Sequence, residues 1–286
     1  MVTSTESATA SATTLAVDGV TKRYGEMVAV DNLSFAVHRG EIFGLLGPNG
    51  AGKTTTIRMI MDIFKADGGS IAVLGGPPGH NSHRIGYLPE ERGLYQEQRI
   101  SEVLSFLAQL KGLSSKAAQA QTERWLERVE LADRAKDKVN SLSRGMQQKL
   151  QVAAALVHDP DLAILDEPFQ GLDPVNVELV KRIMREEQAA GKSIVLSAHQ
   201  MNLVEELCDR ILLINRGQRL LYGTLQEIKR DYAPNIVRIR TPHSLTSIDL
   251  GPIAQLEARE RDYLVTLNGA MTAQALLARL VQQQVE

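Results

Sequence analysis

The chain has 286 residues, 43% of them hydrophobic and 23% charged, with a formal net charge of -2. These values describe ordinary globular protein, one large domain or a large domain with a small companion, and offer no polybasic surface for nucleic acid or an anionic membrane. A single cysteine, Cys208, rules out an internal disulfide framework and points to a reducing compartment, and no apolar run approaches the roughly 20 residues that span a bilayer.

Residues 1–14, MVTSTESATASATT, contain no Lys or Arg and no apolar core. That argues against a secretory signal, and the Ser/Thr/Ala content reads as a disordered tail. The expectation is a cytoplasmic chain that needs another subunit to hold it at any membrane. Leu15–Val17, Met27–Val30 and Leu33–His38 read as an antiparallel start, the last alternating apolar and polar. The pattern then changes. Ile42–Leu46, Leu162–Leu165, Ser193–Ser197 and Ile211–Ile214 are short continuous apolar runs, as in parallel strands covered on both faces.

Helical stripes lie between these runs. Ile57, Ile60, Met61 and Phe64 share one face; Val103, Leu104, Leu107 and Leu110 form a second; Trp125, Leu126 and Val129 mark a third. Asp173 followed by Pro174 opens a fourth helix, with the aspartate as cap and proline in the first turn, and Val177, Val180 and Met184 face inward along it. The stretch from Gly86 to Leu142 shows no buried strand and reads as a helical insertion of about residues 87–150. Beyond Gly223 the pattern weakens, but IVRIR, DYLVTL and TAQALLARLVQQQ suffice for a small α+β appendage over residues 231–286.

Two stretches carry the chemistry. Gly47, Pro48, Asn49, Gly50, Ala51, Gly52, Lys53 and Thr54 fit G-x-x-x-x-G-K-[ST], with Thr55 next, between a buried strand and an amphipathic helix. Such a loop turns its backbone amides around a phosphate chain; Lys53 adds a charge at the terminal phosphates and the Thr54 hydroxyl suits Mg2+. Asp166 ends a second buried strand and is placed to hold Mg2+ through water. Glu167 is one residue further out and suited to orient or deprotonate an attacking water. His199 follows a third strand end. Ligands gather at the carboxyl ends of strands in open α/β sheets, so Lys53, Asp166, Glu167 and His199 are expected at one edge. No Asn-Lys-x-Asp stretch is present to read guanine, and Tyr24 lies upstream, where its ring would stack on a purine; ATP is the expected nucleotide. LSRGMQQK, Leu142–Lys149, opens a further helix, and its Ser143 and Gly145 make a second anion seat.

Together Tyr24, GPNGAGKTT, Glu90 in YLPEERGLY, LSRGMQQK, LAILDEP, Gly171–Asp173 and His199 resemble the ATP-binding subunits of ABC transporters, in the family's order over about residues 15–230. The resemblance implies a P-loop NTPase core of α/β class with an antiparallel β subdomain, the helical insertion and the C-terminal appendage. It implies two such domains paired head to tail. Ser143, Gly145 and Asp173 of one then meet the ATP held by Lys53 of the other, with Glu90 and Mg2+ completing each site. The pair is either two copies of this chain or one copy with a sibling. A separate membrane permease is the implied partner, docked on the helical insertion and the loop from Glu90 to Tyr95, and would hold the chain on the inner face of the cell membrane. Two departures stand out: Arg144 and Met146 replace a glycine and a glutamine of the commonest signature, and Glu90 stands where glutamine is usual. Both variants, and the appendage, are similar to the branch serving sodium- and drug-efflux systems. A rival within the same ATPase class acts on ribosomes or DNA, but its members carry two cassettes in one chain or long coiled coils. A module that holds ATP without turnover is the other rival, which Glu167 and His199 argue against.

Overall fold

The computed structural model describes residues 13–285 except 92, 233–235, 260–261, 269–270 and 284. Most of the expected tail therefore lies outside the described residues; Thr13 and Thr14 already belong to the first strand. The chain divides into two compact units, at Leu225 and Gln226.

In the first unit, β1 (Thr13–Tyr24) and β2 (Met27–His38) pair antiparallel, from Thr13 opposite His38 to Tyr24 opposite Met27. Leu15, Val20, Leu33 and Val37 on this pair are fully buried. β3 (Ile42–Leu46) is buried at all five positions and leads through the glycine-rich loop into α1 (Lys53–Ile60). The helix is shorter than its apolar stripe: Met61 caps it and Phe64 lies beyond, though both still pack on the core. β4 (Gly68–Val73) pairs antiparallel with β1, giving a three-stranded sheet in the order β2-β1-β4.

β5 (Ile85–Leu88) corrects the expectation that no buried strand lies between Gly86 and Leu142, because it pairs in parallel with the strand that precedes Asp166. The helical region is α2 (Ile100–Leu110), α3 (Ser115–Arg128) and α4 (Arg144–Leu156). α2 buries Val103 and Leu104 as expected, but Leu110 turns outward and is 69% exposed. The core resumes with β6 (Leu162–Leu165), α5 (Pro174–Ala189), β7 (Ser193–Ala198), α6 (Met201–Leu207), β8 (Arg210–Asn215) and β9 (Gln218–Thr224). The six-stranded sheet runs β5-β6-β7-β3-β8-β9, all parallel except for the last strand.

Packing joins the two sheets. Phe35 of β2 stacks on Phe43 of β3 at 5.4 Å, inside one cluster that also takes in Leu15, Leu33, Ile57 and Leu212. Each such side chain contributes about 1.5–3 kcal/mol by leaving water. On α3, Arg128 lies over the Trp125 ring and pairs with Glu186 and Glu187 of α5 at 2.8 and 2.5 Å, fastening the helical region to the core. No helix of the described residues is long and apolar enough to cross a membrane.

α7 (Leu225–Tyr232) starts at the last residue of the first unit, and in the second unit it is followed by β10 (Ile236–Ile239), β11 (Ile253–Ala258) and β12 (Tyr263–Leu267), an antiparallel sheet in the order β10-β12-β11. α8 (Ala273–Gln282) buries Leu276 and Leu280 against a core that includes Val265, Leu267 and Leu245.

Candidate functional site

Four parallel strands deliver their carboxyl ends to one edge of the sheet. In register, Leu46 of β3 stands beside Ala198 of β7, and Leu88 of β5 beside Leu165 of β6. The residues that follow these strands carry the chemistry. The Asp166 amide donates to the Leu88 carbonyl at 2.8 Å, which holds the chain after β6 against the end of β5.

After β3 the loop wraps over the start of α1. Gly52 sits at φ +107, and a Cβ there would meet the Ala29 carbonyl oxygen at 2.6 Å, so only glycine fits. Lys53 is buried, and its ammonium donates to the carbonyls of Gly47 and Pro48 at 2.7 and 3.2 Å. The α1 N-terminus adds unpaired backbone amides to this cradle.

Beside it, Asp166 is 1% exposed. One of its oxygens accepts the Ser197 hydroxyl; the other, Oδ2, is buried without a partner among the described residues. Glu167 has a left-handed backbone, φ +51, uncommon for a residue with a side chain and a recurrent mark of functional sites. Its amide donates to Ser197 Oγ at 2.9 Å, and its two carboxylate oxygens lie 3.0 and 3.1 Å from His199 Nδ1. Ser197 thus ties Asp166 and Glu167 to the end of β7. Gln148 of α4 adds a buried amide that donates to the Pro168 carbonyl at 3.0 Å. Sequence reasoning assigned no role to Ser197 or Gln148, and their partners are distant in the chain.

The cradle and the acids line one cleft of about 460 Å³, together with Tyr24, Met27, Ala29, Glu90 and Arg216. Tyr24, 41% exposed, meets Phe64 edge-on at 6.2 Å. Arg216 was not anticipated. Ser143, Gly145 and Asp173 stand outside this cleft. Ser143 caps α4 through the Met146 amide at 3.3 Å, and Arg144 beside it is exposed. Asp173 caps α5 through the Asn176 amide at 2.9 Å; that bond and the Asn176 side-chain bond hold its carboxyl below the usual range.

A hard divalent cation fits the donors. Mg2+ is bound by one or two carboxylates, waters and phosphate oxygens, and Asp166 Oδ2 is an orphaned acceptor in a cleft shared with Thr54 and Glu90. No group of three or more His, Cys, Asp or Glu side chains among the described residues is arranged to hold a metal by itself, so a cation here depends on ligand oxygens.

Comparison with known proteins gives a consistent result. A family model described as ABC transporter matches residues 30–170. The uncharacterised ABC transporter ATP-binding protein YhaQ of Bacillus subtilis is 46% identical over 232 residues, covering 81% of this chain and 78% of the relative. Nod factor export ATP-binding protein I of Ralstonia nicotianae is 40% identical over 218 residues, 75% of this chain and 68% of the relative. A solved ATP binding subunit of an ABC transporter aligns at 32% identity with a TM-score of 0.72, covering 76% of this chain and 92% of the other.

Proposed function

The chain belongs to the ABC transporter family as an ATP-binding subunit, and we propose that it hydrolyses ATP in a head-to-tail pair and thereby drives a separate membrane permease, in the direction of export. The observation that carries this reading is the convergence of Lys53, Asp166 and Glu167 in one cleft while the Ser143 cap stands outside it. One anion seat then holds the nucleotide, and the other is free to meet a nucleotide held by a second subunit.

In this reading Tyr24 stacks on the adenine. The amides of residues 47–55 and the Lys53 ammonium bind the phosphates. Thr54, Asp166 and Glu90 would hold Mg2+, and the ion would neutralise charge on the phosphates. Glu167 orients the attacking water and takes its proton, and His199 holds the Glu167 carboxylate in place across the 3.0 Å contact. Ser143, Gly145 and Asp173 act on the partner's ATP. ATP binding closes the pair, and hydrolysis with release opens it.

The permease would dock on the helical region and the loop from Glu90 to Tyr95, where Tyr95, Phe106 and Leu110 are exposed, and would hold the chain on the inner face of the cell membrane. Export is supported by the exporter named among the relatives. Nothing among these relatives favours the non-transport alternative. The test is ATP turnover by the purified chain against its own concentration, with Mg2+. Specific activity should rise steeply with concentration and be lost in Ser143→Arg. Turnover that is independent of concentration where the chain is monomeric would overturn the paired site.

A further inference from the structure

The connection between β8 and β9 is a two-residue turn, Arg216-Gly217, with both residues left-handed at φ +49 and +76. Turns of this kind match the twist of the flanking strands and prefer Asn-Gly or Asp-Gly. An arginine in the first position works against its backbone preference, and a side chain kept in such a place is a reason to look for its use.

The turn is fixed on both sides. The Gly217 amide donates to the Ala51 carbonyl in the phosphate loop, and the Gly217 carbonyl accepts from the Asp31 amide, both at 2.9 Å. A Cβ on Gly217 would meet the Ala29 carbonyl oxygen at 2.8 Å, so the close approach depends on glycine. Gln218 adds a bond to Asp31 at 2.8 Å. Arg216 is thereby carried into the lining of the nucleotide cleft, where it is the one cation besides Lys53 among the described residues. Lys53 is held by two carbonyls. Arg216 has no hydrogen bond or ion pair to any described residue, although Glu90, Asp166 and Glu167 line the same cleft.

We infer that Arg216 is a nucleotide-binding residue whose guanidinium holds the α-phosphate of the nucleotide seated between Tyr24 and the phosphate loop. The inference rests on the ATP-binding reading of the cleft. Tyr24 marks the base end and Lys53 the terminal-phosphate end of the cleft that Arg216 also lines, and the turn is bonded to the phosphate loop at Ala51 and to β2 at Asp31; the α-phosphate is the link of the nucleotide between those two ends. A guanidinium fork suits phosphate oxygens better than a point charge does, and the fixed turn leaves only the side chain itself to be ordered on binding.

The test is fluorescence titration of the full chain with N-methylanthraniloyl ATP and ADP. Arg216→Gly removes the guanidinium and suits the left-handed backbone; Arg216→Asn is a second substitution that tolerates it, and melting temperature checks that both variants fold. Both should weaken ATP and ADP equally, by roughly tenfold, with Arg216→Lys losing less. Affinities within twofold of the parent in both variants would overturn the inference, and a loss confined to ATP would overturn the α-phosphate assignment. Lys53→Ala separates the two readings. If it abolishes binding while the Arg216 variants bind normally, the cleft is the nucleotide site and the inference alone fails. If the parent chain binds neither probe, both fail.

Discussion

His199 Nδ1 lies 3.0 Å from a carboxylate oxygen of Glu167, joining the residues that follow β7 and β6. The contact gives Glu167 a fixed direction even though its backbone is left-handed and its side chain is partly open to solvent. Glu167→Gln keeps the shape and a hydrogen-bonding group for the imidazole but removes the base. ATP binding should persist while turnover falls by about 10²- to 10⁴-fold, and a closed pair should accumulate with ATP on size exclusion. Unchanged turnover would remove Glu167 from the mechanism.

Ser197 is the hinge of the same edge. Its hydroxyl donates to Asp166 and accepts from the Glu167 amide. Ser197→Ala strands a buried carboxylate oxygen, which costs about 1–3 kcal/mol, and leaves the part-buried Glu167 amide without its acceptor. A net loss of about 2 kcal/mol should lower the melting temperature by roughly 4–8 °C. With Asp166 no longer held, the Mg2+ concentration that half-saturates turnover should rise. A variant that melts with the parent and has the same Mg2+ dependence would show that the bridge has no energetic role.

The phosphate loop and the strands around it were legible because their determinants are contiguous. Ile42–Leu46 and Leu162–Leu165 are short apolar runs that are buried throughout, and Asp173-Pro174 carries its own cap and first turn. β5 was not legible. Its sequence is Ile-Gly-Tyr-Leu, and Gly86 reads as a breaker, yet a Cβ there would meet the Ala155 carbonyl oxygen at 2.1 Å. The glycine is present so that α4 can approach the sheet. The roles of Ser197 and Arg216 depend on neighbours about 30 and 165 positions away, brought close by strand register and hairpin anchoring. No local pattern carries that information.

His158, between α4 and β6, is a second place where chain-distant neighbours decide the chemistry. Burial and the nearby Lys111 push its imidazole from 6.5 down to about 4, against a hydrogen bond to the Ile85 carbonyl at 3.2 Å and the charge of Asp159, with Lys192 adding to the depression. Lys111 donates to the same carbonyl at 3.0 Å. Well above pH 6.5 the imidazole is neutral in both states and adds no pH dependence. As pH falls from 6.5 towards 4, the unfolded chain takes a proton that the folded chain refuses, so stability is lost, about 3 kcal/mol in all. His158→Gln should flatten the slope of melting temperature against pH in that window. Carboxylates remain in both proteins, so the difference between the two curves isolates the histidine. Parallel curves would show that His158 titrates normally.

The last prediction concerns the outer face of the helical region. α2 turns Val103, Leu104 and Ala108 inward, while Phe106 and Leu110, one turn apart, face out at 47% and 69% exposure. Tyr95 stands edge-on to Phe106 at 5.8 Å and is itself 55% exposed. Exposed apolar side chains gathered in this way are a feature of contact surfaces. Replacing Phe106 and Leu110 together by Glu should cost little more than the Tyr95–Phe106 ring contact, about 0.5–1.5 kcal/mol, beyond the roughly 0.5 kcal/mol usual for an exposed site. ATP turnover by the isolated chain should be kept, since neither residue lines the nucleotide cleft. If the chain drives a permease as proposed, that protein should co-purify with the parent chain from membranes, and its recovery with the variant should fall sharply. Full recovery, with the variant folded and active, would move the docking surface elsewhere. Loss of turnover in the isolated variant would instead show that this face supports the catalytic edge.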